Sequence, residues 1–329
     1  MENMETAGDK KTDISVVIVN WNVRDFLKKS LESIYRFTED VDFEVWVVDN
    51  NSSDGSGEMV AKEFPQVHLI ANKENLGFSR ANNMALTKSN GRYVLLLNPD
   101  TELIDNSLKA MTMFMDDHAD IDAIGCKLIF PDGSLQYSAR HFPSLFTDFM
   151  ESLGLDGAFP KSAFFNYYKM GEWDHDDMRP IDVPYGASLL IRRNTLEKIG
   201  FMDERFFMYY DEIDLCYQIK KNGGKIYFIP DIKIIHNSNR SSNQIPLSCA
   251  EWKLTSKLLF YEKNYGSWSV FALFFNLVLH SIIIWGIFPV TSLFFKHPHD
   301  INYFKEWARF TWRVYVRYLK TRHTREPAC

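Results

Sequence analysis

Residues 14–20, ISVVIVN, are a short apolar run dominated by β-branched side chains and ended by an asparagine. A half-exposed strand would alternate apolar and polar residues, so an unbroken run of this length reads as a strand covered on both faces. Residues 43–49, FEVWVVD, repeat the pattern and give way to the turn-rich segment Asn50–Gly57. Val67–Ala71 reads as a third strand, and Arg92–Leu97 (RYVLLL) as a fourth running into Asn98-Pro99-Asp100. Between them Leu27, Leu31, Ile34 and Tyr35 recur at helical spacing, and the spacing predicts a second helix over Phe78–Lys88. Strands alternating with helices imply right-handed crossovers and an α/β, Rossmann-like fold with a mostly parallel central sheet.

In such a sheet, ligands gather beyond the carboxyl ends of the strands. Those ends carry Asn20-Trp21-Asn22, Asp49-Asn50, Asn72–Gly77 and Asn98–Asp100. Residues from Asp132 to Asp182 are aromatic and rich in Gly, Pro and Asp, which reads as long loops forming an acceptor-side lid. Val183–Arg192 reads as a strand, and Asp211–Lys221 as a helix stopped by Gly223-Gly224. Lys225–Ile229 and Ile232–Ile235 read as two strands leading to His236, and a helical pattern runs from about Ser241 through Tyr265.

The chain has 329 residues, 46% of them hydrophobic, which suffices for one large domain and an appendage. A formal net charge of −6 argues against a nucleic-acid partner, which selects a basic excess. Cys126, Cys216, Cys249 and Cys329 are widely spaced with no CxxC pair, so neither a disulfide framework nor a zinc site is expected. Residues 1–13 are polar and lack the apolar run of a secretory signal, so the first domain is expected in the cytoplasm, with this segment as a disordered N-terminus.

The carboxylates carry the chemistry. Asp49, at a strand end, suits the ring N–H of a pyrimidine, with Asn50 and Ser53 near for ribose; ordinary Asx turn chemistry is the competing reading. Asp100, also at a strand end, suits Mg²⁺ or Mn²⁺ held against a diphosphate, or else a plain Asn-Pro-Asp turn. Asp211, Glu212 and Asp214 begin a helix, where the dipole stabilises anions. One of them also suits a general base that removes an acceptor hydroxyl's proton. His236 is a candidate third metal ligand through its neutral imidazole.

Seven segments in order, SVVIVNWN, VVDNNSSDGS, NLGFSRANN, LLLNPD, GASLLIRR, FFMYYDEIDLC and IIHNSNRSS, resemble the family 2 inverting glycosyltransferases of the GT-A fold. The resemblance is strongest to the bacterial branch that includes rhamnosyltransferases of polysaccharide biosynthesis, and it spans about Ile14 to Ser242. It implies that Asn20, Asn22 and Asp49 face the nucleoside, and that Asn75, Gly77, Arg80, Asn83 and Asn98 line the donor. It also implies that Asp100 and His236 meet a divalent metal (Mg²⁺ or Mn²⁺). The family's acid pair usually reads Glu-Asp with the second as base. Here Glu212 takes that position, its extra methylene shifting the carboxylate by about 1.5 Å, with Asp211 as the fallback. Absence of QxxRW favours single-sugar transfer over polymerisation.

The expected organisation is therefore a GT-A domain over 14–242 and a helical, membrane-associating C-terminal extension over 243–329. Residues 264–295 contain no Asp, Glu, Lys or Arg, while the tail 296–329 sets eight Lys/Arg against three acids. Arg309, Arg313 and Arg317, interleaved with aromatics, suit a helix lying on an anionic leaflet. A donor made in the cytoplasm and a basic tail together imply attachment to the cytoplasmic face of the inner membrane, peripheral or monotopic. A homodimer through the apolar stretch is the alternative. The expected partners are a nucleotide-diphosphate sugar, with dTDP-L-rhamnose first by resemblance, and a glycan or lipid-linked acceptor. A UDP-hexose or UDP-amino sugar donor, or a non-catalytic subunit that binds nucleotide sugar, are the competing readings.

Overall fold

The computed structural model describes residues 12–238, 244–291 and 301–321; within these, the side chains of 280–291, 301–305, 307 and 308 are excepted. Expectations for residues 1–11, the end of the IIHNSNRSS segment, the junction 292–300 and the last eight residues lie outside the described residues.

Strands β1 (Ile14–Asn20), β2 (Phe43–Asp49), β3 (His68–Ala71) and β4 (Tyr93–Leu97) pair in parallel, in the order β3-β2-β1-β4. Helices α1 (Arg24–Phe37), α2 (Ser56–Glu63) and α3 (Phe78–Leu86) make the crossovers. Successive strand side chains point to opposite faces. Ile14, Val16, Ile18, Val45 and Val47 therefore pack with α1 and α2, while Val17, Val19, Val48, Val94 and Leu96 pack on the side of α3. This two-sided burial is what the unbroken apolar runs require.

Beyond β4 the sheet continues through β11 (Ser188–Arg192), β6 (Ala123–Ile129), β12 (Ile226–His236) and β5 (Thr101–Leu103). β4–β11, β11–β6 and β12–β5 are antiparallel, and β6–β12 is parallel. Helix α4 (Ser107–Asp117) covers this half on the α1 side. The two-residue strands β7 (Leu135–Gln136) and β9 (Arg179–Pro180) join the sheet, and β8 (Ala139–Arg140) pairs with β10 (Val183–Pro184).

Three sequence expectations change. The single strand over Val183–Arg192 is two, because Val183–Pro184 pairs with β8 and the chain crosses at Tyr185-Gly186-Ala187 before Ser188–Arg192 joins the main sheet. The two strands before His236 are one, with a bulge between Ile229 and Lys233 that absorbs Pro230. The segment 132–182 is not all loop: Ser144 caps helix α5 (Leu145–Ser152) with a capping box, and the short α6 (Leu155–Ala158) follows.

Helices α7 (Arg193–Ile199) and α8 (Asp211–Lys221) lie on the α3 side. So do α9 (Pro246–Tyr265), α10 (Ser267–Thr291) and α11 (Ile301–Thr321), whose Leu258, Phe260, Tyr261, Val270, Leu273, Tyr315 and Tyr318 share one core with the sheet. The aromatic side of α11 expected on a leaflet is thus partly taken by protein: Tyr315 stacks on Phe274, and the Tyr318 hydroxyl donates to Glu262. Among the described residues no helix is long and apolar enough to cross a membrane.

Gly91 shows how tightly β1 and β4 are joined. Its N–H donates to Ser15 Oγ at 2.7 Å, and a Cβ there would fall on the Ser15 backbone nitrogen. Gly91→Ala is expected to destabilise the protein by about 1–3 kcal/mol, as overpacking does, read as a lowered urea midpoint at unchanged slope.

Candidate active site

The carboxyl ends of β1, β2 and β4 open on a cleft of about 440 Å³. Asn75, Gly77, Asn98, Asp100, Asp211, Glu212 and His236 line it, together with Val19, Trp21 and Asn50. Residues more than a hundred positions apart therefore meet in one place.

On the β1–β2 side, Asn20 donates to Asp49 Oδ1 at 2.9 Å and to Ser52 Oγ at 3.1 Å, and the Ser52 N–H donates to Asp49 Oδ2 at 3.1 Å. Asp49 is thereby fixed at the strand end. Asn22 adopts φ 53°, and its Oδ1 accepts from the Ser53 N–H at 2.7 Å. These three residues stand beside the cleft rather than in its wall. Asn75 Oδ1 accepts from the Gly77 N–H at 3.0 Å, and Gly77 sits at φ 82°, where a Cβ would strike the Phe207 carbonyl. Only glycine permits that backbone approach.

Arg80 and Asn83 do not enter the cleft. Asn83 donates to the Met202 carbonyl at 2.8 Å and accepts from the Met202 N–H at 3.1 Å, bracing the loop before α8. Arg80 is more than half exposed, its Nε 3.9 Å from Glu204.

At the sheet's centre, Asp100 Oδ1 lies 3.3 Å from His236 Nε2, and Asn98 Nδ2 lies 3.5 Å from the same nitrogen. His236 Nδ1 is 2.9 Å from Gln136 Oε1, an acceptor, so Nδ1 carries a hydrogen and Nε2 is the ring nitrogen that faces Asp100. Asp100 and His236 are 6% and 2% exposed, so this imidazole and carboxylate are fixed in place. Among the described residues no three His, Cys, Asp or Glu side chains close a metal site. A buried carboxylate beside an imidazole nitrogen nevertheless fits a cation whose other ligands are substrate oxygens, as Mg²⁺ and Mn²⁺ commonly arrange. Gln136, which accepts from His236 Nδ1, lies in an unperiodic stretch and gave no sequence signal.

The three acids of α8 differ. Asp214 is buried and ties Lys263 at 2.6 Å and Asn264 at 2.8 Å, a structural role. Asp211 is buried with Oδ2 unpartnered; burial, then the Glu212 charge, holds its carboxyl well above the ordinary aspartate range. A group that keeps its own proton is a poor acceptor of another. Glu212 is half-buried and faces the cleft across Gly186, where a Cβ would stand 3.1 Å from Glu212 Cγ. That glycine makes room for the longer side chain.

Residues 15–209 match the family described as glycosyl transferase family 2. The chain belongs to that family. It is therefore a glycosyltransferase. Among relatives of this family 2 chain is the N-acetylglucosaminyl-diphospho-decaprenol L-rhamnosyltransferase of Mycobacterium tuberculosis, 27% identical over 269 residues, 78% of this chain and 87% of the relative. The rhamnosyltransferase WbbL of Escherichia coli K12 is 24% identical over 257 residues, 74% and 90% of the two chains. The fold is shared with a Pyrobaculum calidifontis mannosyltransferase solved with GDP-Man and Mn²⁺, at TM-score 0.57 and 14% identity over 95% of this chain and 87% of that one. It is also shared with GalNAc-T7 solved with UDP, GalNAc and Mn²⁺, at TM-score 0.53 and 16% identity, covering 77% and 48%. The GT-A fold expected from the sequence is thus observed.

The Asp211 proton is bound more tightly in the folded chain than in the unfolded one. Its contribution to stability is full below the ordinary aspartate pKa of about 3.9 and is lost as pH rises toward the raised folded value. Asp211→Asn is accordingly expected to raise the melting temperature by a few degrees at about pH 7.5 and to gain little at about pH 4. Thermal unfolding across that range checks it.

Proposed function

We propose that this chain is an inverting glycosyltransferase that moves one sugar from a nucleoside-diphosphate donor to an acceptor hydroxyl in cell-surface glycan assembly. The observation that carries the reading is the shared cleft: Asp100 and His236 on one wall, Glu212 on another. The Asn20–Asp49–Ser52 group would hold the nucleoside, and Asn75 and Gly77, which line the cleft, would contact the donor. Asp100 and His236 would hold Mg²⁺ or Mn²⁺, which offsets the negative charge of the departing diphosphate.

Glu212 takes the proton from the acceptor hydroxyl as that oxygen bonds to the anomeric carbon and the carbon–phosphate oxygen bond breaks. The nucleoside diphosphate leaves with the bonding pair, and a single displacement inverts the centre. The relatives' names support rhamnose as the first sugar to assay, offered as dTDP-L-rhamnose, and the mycobacterial name supports a lipid-linked acceptor. A panel of dTDP-, UDP- and GDP-sugars with Mn²⁺, scored by thermal shift and then by transfer, tests the donor. Glu212→Gln is expected to lower transfer by about 10²–10⁴-fold while leaving nucleotide affinity within about two-fold. Asp100→Ala is expected to lose both transfer and the Mn²⁺-dependent part of nucleotide binding. Parent-like transfer by either variant ends this reading.

Peripheral attachment to a membrane belongs to the same proposal. On α10, Trp268, Phe271, Phe275 and Val278 are 64%, 49%, 69% and 36% exposed and recur at i, i+3, i+7 and i+10, one apolar stripe. Arg309 and Arg313 are exposed on α11, which packs against α10. An apolar stripe near basic side chains fits the interface of an anionic leaflet, on the cytoplasmic side where the donor is made. Phe271→Ser combined with Phe275→Ser is expected to reduce co-sedimentation with phosphatidylglycerol vesicles several-fold. A change in sedimentation coefficient with unaltered vesicle binding would instead mark the stripe as a dimer contact.

A further inference from the structure

Arg140 and Lys253 line the same cleft as Glu212 and have no part in the site read from the sequence. Arg140, at the end of β8, sits opposite Val183 of β10. Its guanidinium lies 4.6 Å from the Tyr185 ring centre and 5.9 Å from that of Tyr168. Burial opposes its charge, but the Tyr168 hydroxyl and the Glu212 carboxylate hold its pKa above the ordinary arginine value. Lys253 stands on α9, exposed to the cleft. The surrounding walls desolvate its ammonium and, with the Lys257 and Arg140 cations near it, outweigh Glu151 to hold its pKa below the ordinary lysine value.

Among the described residues neither Arg140 nor Lys253 has an ion-pair partner. Lys257, one turn further along α9, does: it pairs with Asp148. Glu212 and Glu151 act on them only through space, so two mutually repelling cations stand in one cleft with no carboxylate in direct contact, an arrangement that an anionic ligand would complete. The charges that act most on Lys253 come from the 140–169 segment and α9, namely Arg140, Glu151, Lys169 and Lys257, and not from the nucleoside side at β1 and β2. Nearby on that segment, Phe146 and Phe164 meet edge to face at 5.1 Å while 42% and 60% exposed, an apolar surface with no protein cover among the described residues.

We infer that Arg140 and Lys253 form a second anion subsite, which binds the phosphate or diphosphate of an amphiphilic lipid-linked acceptor, with Phe146 and Phe164 receiving the start of its apolar chain. This rests on the reading of the cleft as the transfer site. It adds to that reading the residues that would bind the acceptor's phosphate. The phosphate held beside Glu212 would set which acceptor hydroxyl reaches the base.

The test is titration of the full-length chain with farnesyl diphosphate in the presence of Mn²⁺ and saturating UDP or dTDP, so that the donor side is closed. Farnesol and inorganic pyrophosphate are the control probes. Arg140→Gln and Lys253→Gln are each expected to weaken farnesyl diphosphate by about ten-fold, the loss of one charge-assisted contact. Their affinity for UDP or dTDP should stay within about two-fold, which also reports that the variants fold. Lys253→Gln, at the exposed cleft wall, carries the test alone if Arg140→Gln is unstable, and Arg140→Lys should retain most of the binding.

Farnesyl diphosphate affinity unchanged in both variants overturns the subsite. A parallel loss of nucleotide affinity assigns these cations to the donor and also overturns it. Pyrophosphate binding as tightly as farnesyl diphosphate removes the lipid from the proposal. If the parent binds neither nucleotide, it is the transfer-site reading that fails, a result distinct from all of these.

Discussion

The site depends on one strand pairing. β5 is three residues long, yet its antiparallel register with β12 sets Thr101 opposite His236 and so brings the imidazole to Asp100. The Asn237 N–H donates to the Asp100 carbonyl at 2.9 Å, and the Thr101 hydroxyl donates to the Asn98 carbonyl at 2.7 Å, which fixes the turn leaving β4. Because side chains alternate along a strand, slipping this register by one residue would turn His236 away and separate the pair. The adjoining ladder does similar work: the Asn98 N–H donates to the Ala187 carbonyl at 3.0 Å, next to the Gly186 that gives Glu212 its room. The two walls of the cleft are thus joined through backbone hydrogen bonds.

Around this point the charges are divided. Carboxylates with structural duties are neutralised: Asp214 by Lys263, Asp203 by Arg205 and Lys263, Asp148 by Lys257. Those left toward the cleft are Asp100 and Glu212, with Asp211 protonated beside them, and Arg140 and Lys253 line the same cleft. A site that holds both acidic and basic groups suits a cation-bound donor meeting an anionic acceptor, and desolvation strengthens both interactions. Helices α9–α11 contribute by placing Lys253 in the cleft wall while burying Tyr261 and Tyr318 against the sheet domain.

Much of this was legible in the sequence because its causes are local. β1, β2 and β4 are buried on both faces, so their runs could not be mistaken for amphipathic segments, and their polar carboxyl ends marked the site. What stayed hidden depends on tertiary contacts. β5 is too short to show a period. Pro230 divides β12 in the sequence, but a bulge carries the ladder past it. Arg80 and Asn83 sit on the right helix, but that helix turns Asn83 toward Met202 rather than the cleft. Gln136, Gly186, Arg140 and Lys253 matter through residues far away in the chain, and no local pattern announces them. Among the acids of α8, the sequence showed three alike; burial separates Glu212 from the two aspartates, and the Lys263 pair separates Asp214 from Asp211.

Anomalous diffraction from crystals soaked with Mn²⁺ and a nucleoside diphosphate addresses the central claim most directly, since it locates the ion without reference to activity. The account predicts a manganese peak within bonding distance of an Asp100 carboxylate oxygen, with His236 Nε2 and the diphosphate facing it and Glu212 across the same cleft. Manganese and nucleotide bound together elsewhere, with Asp100 and His236 still paired to each other, would contradict it.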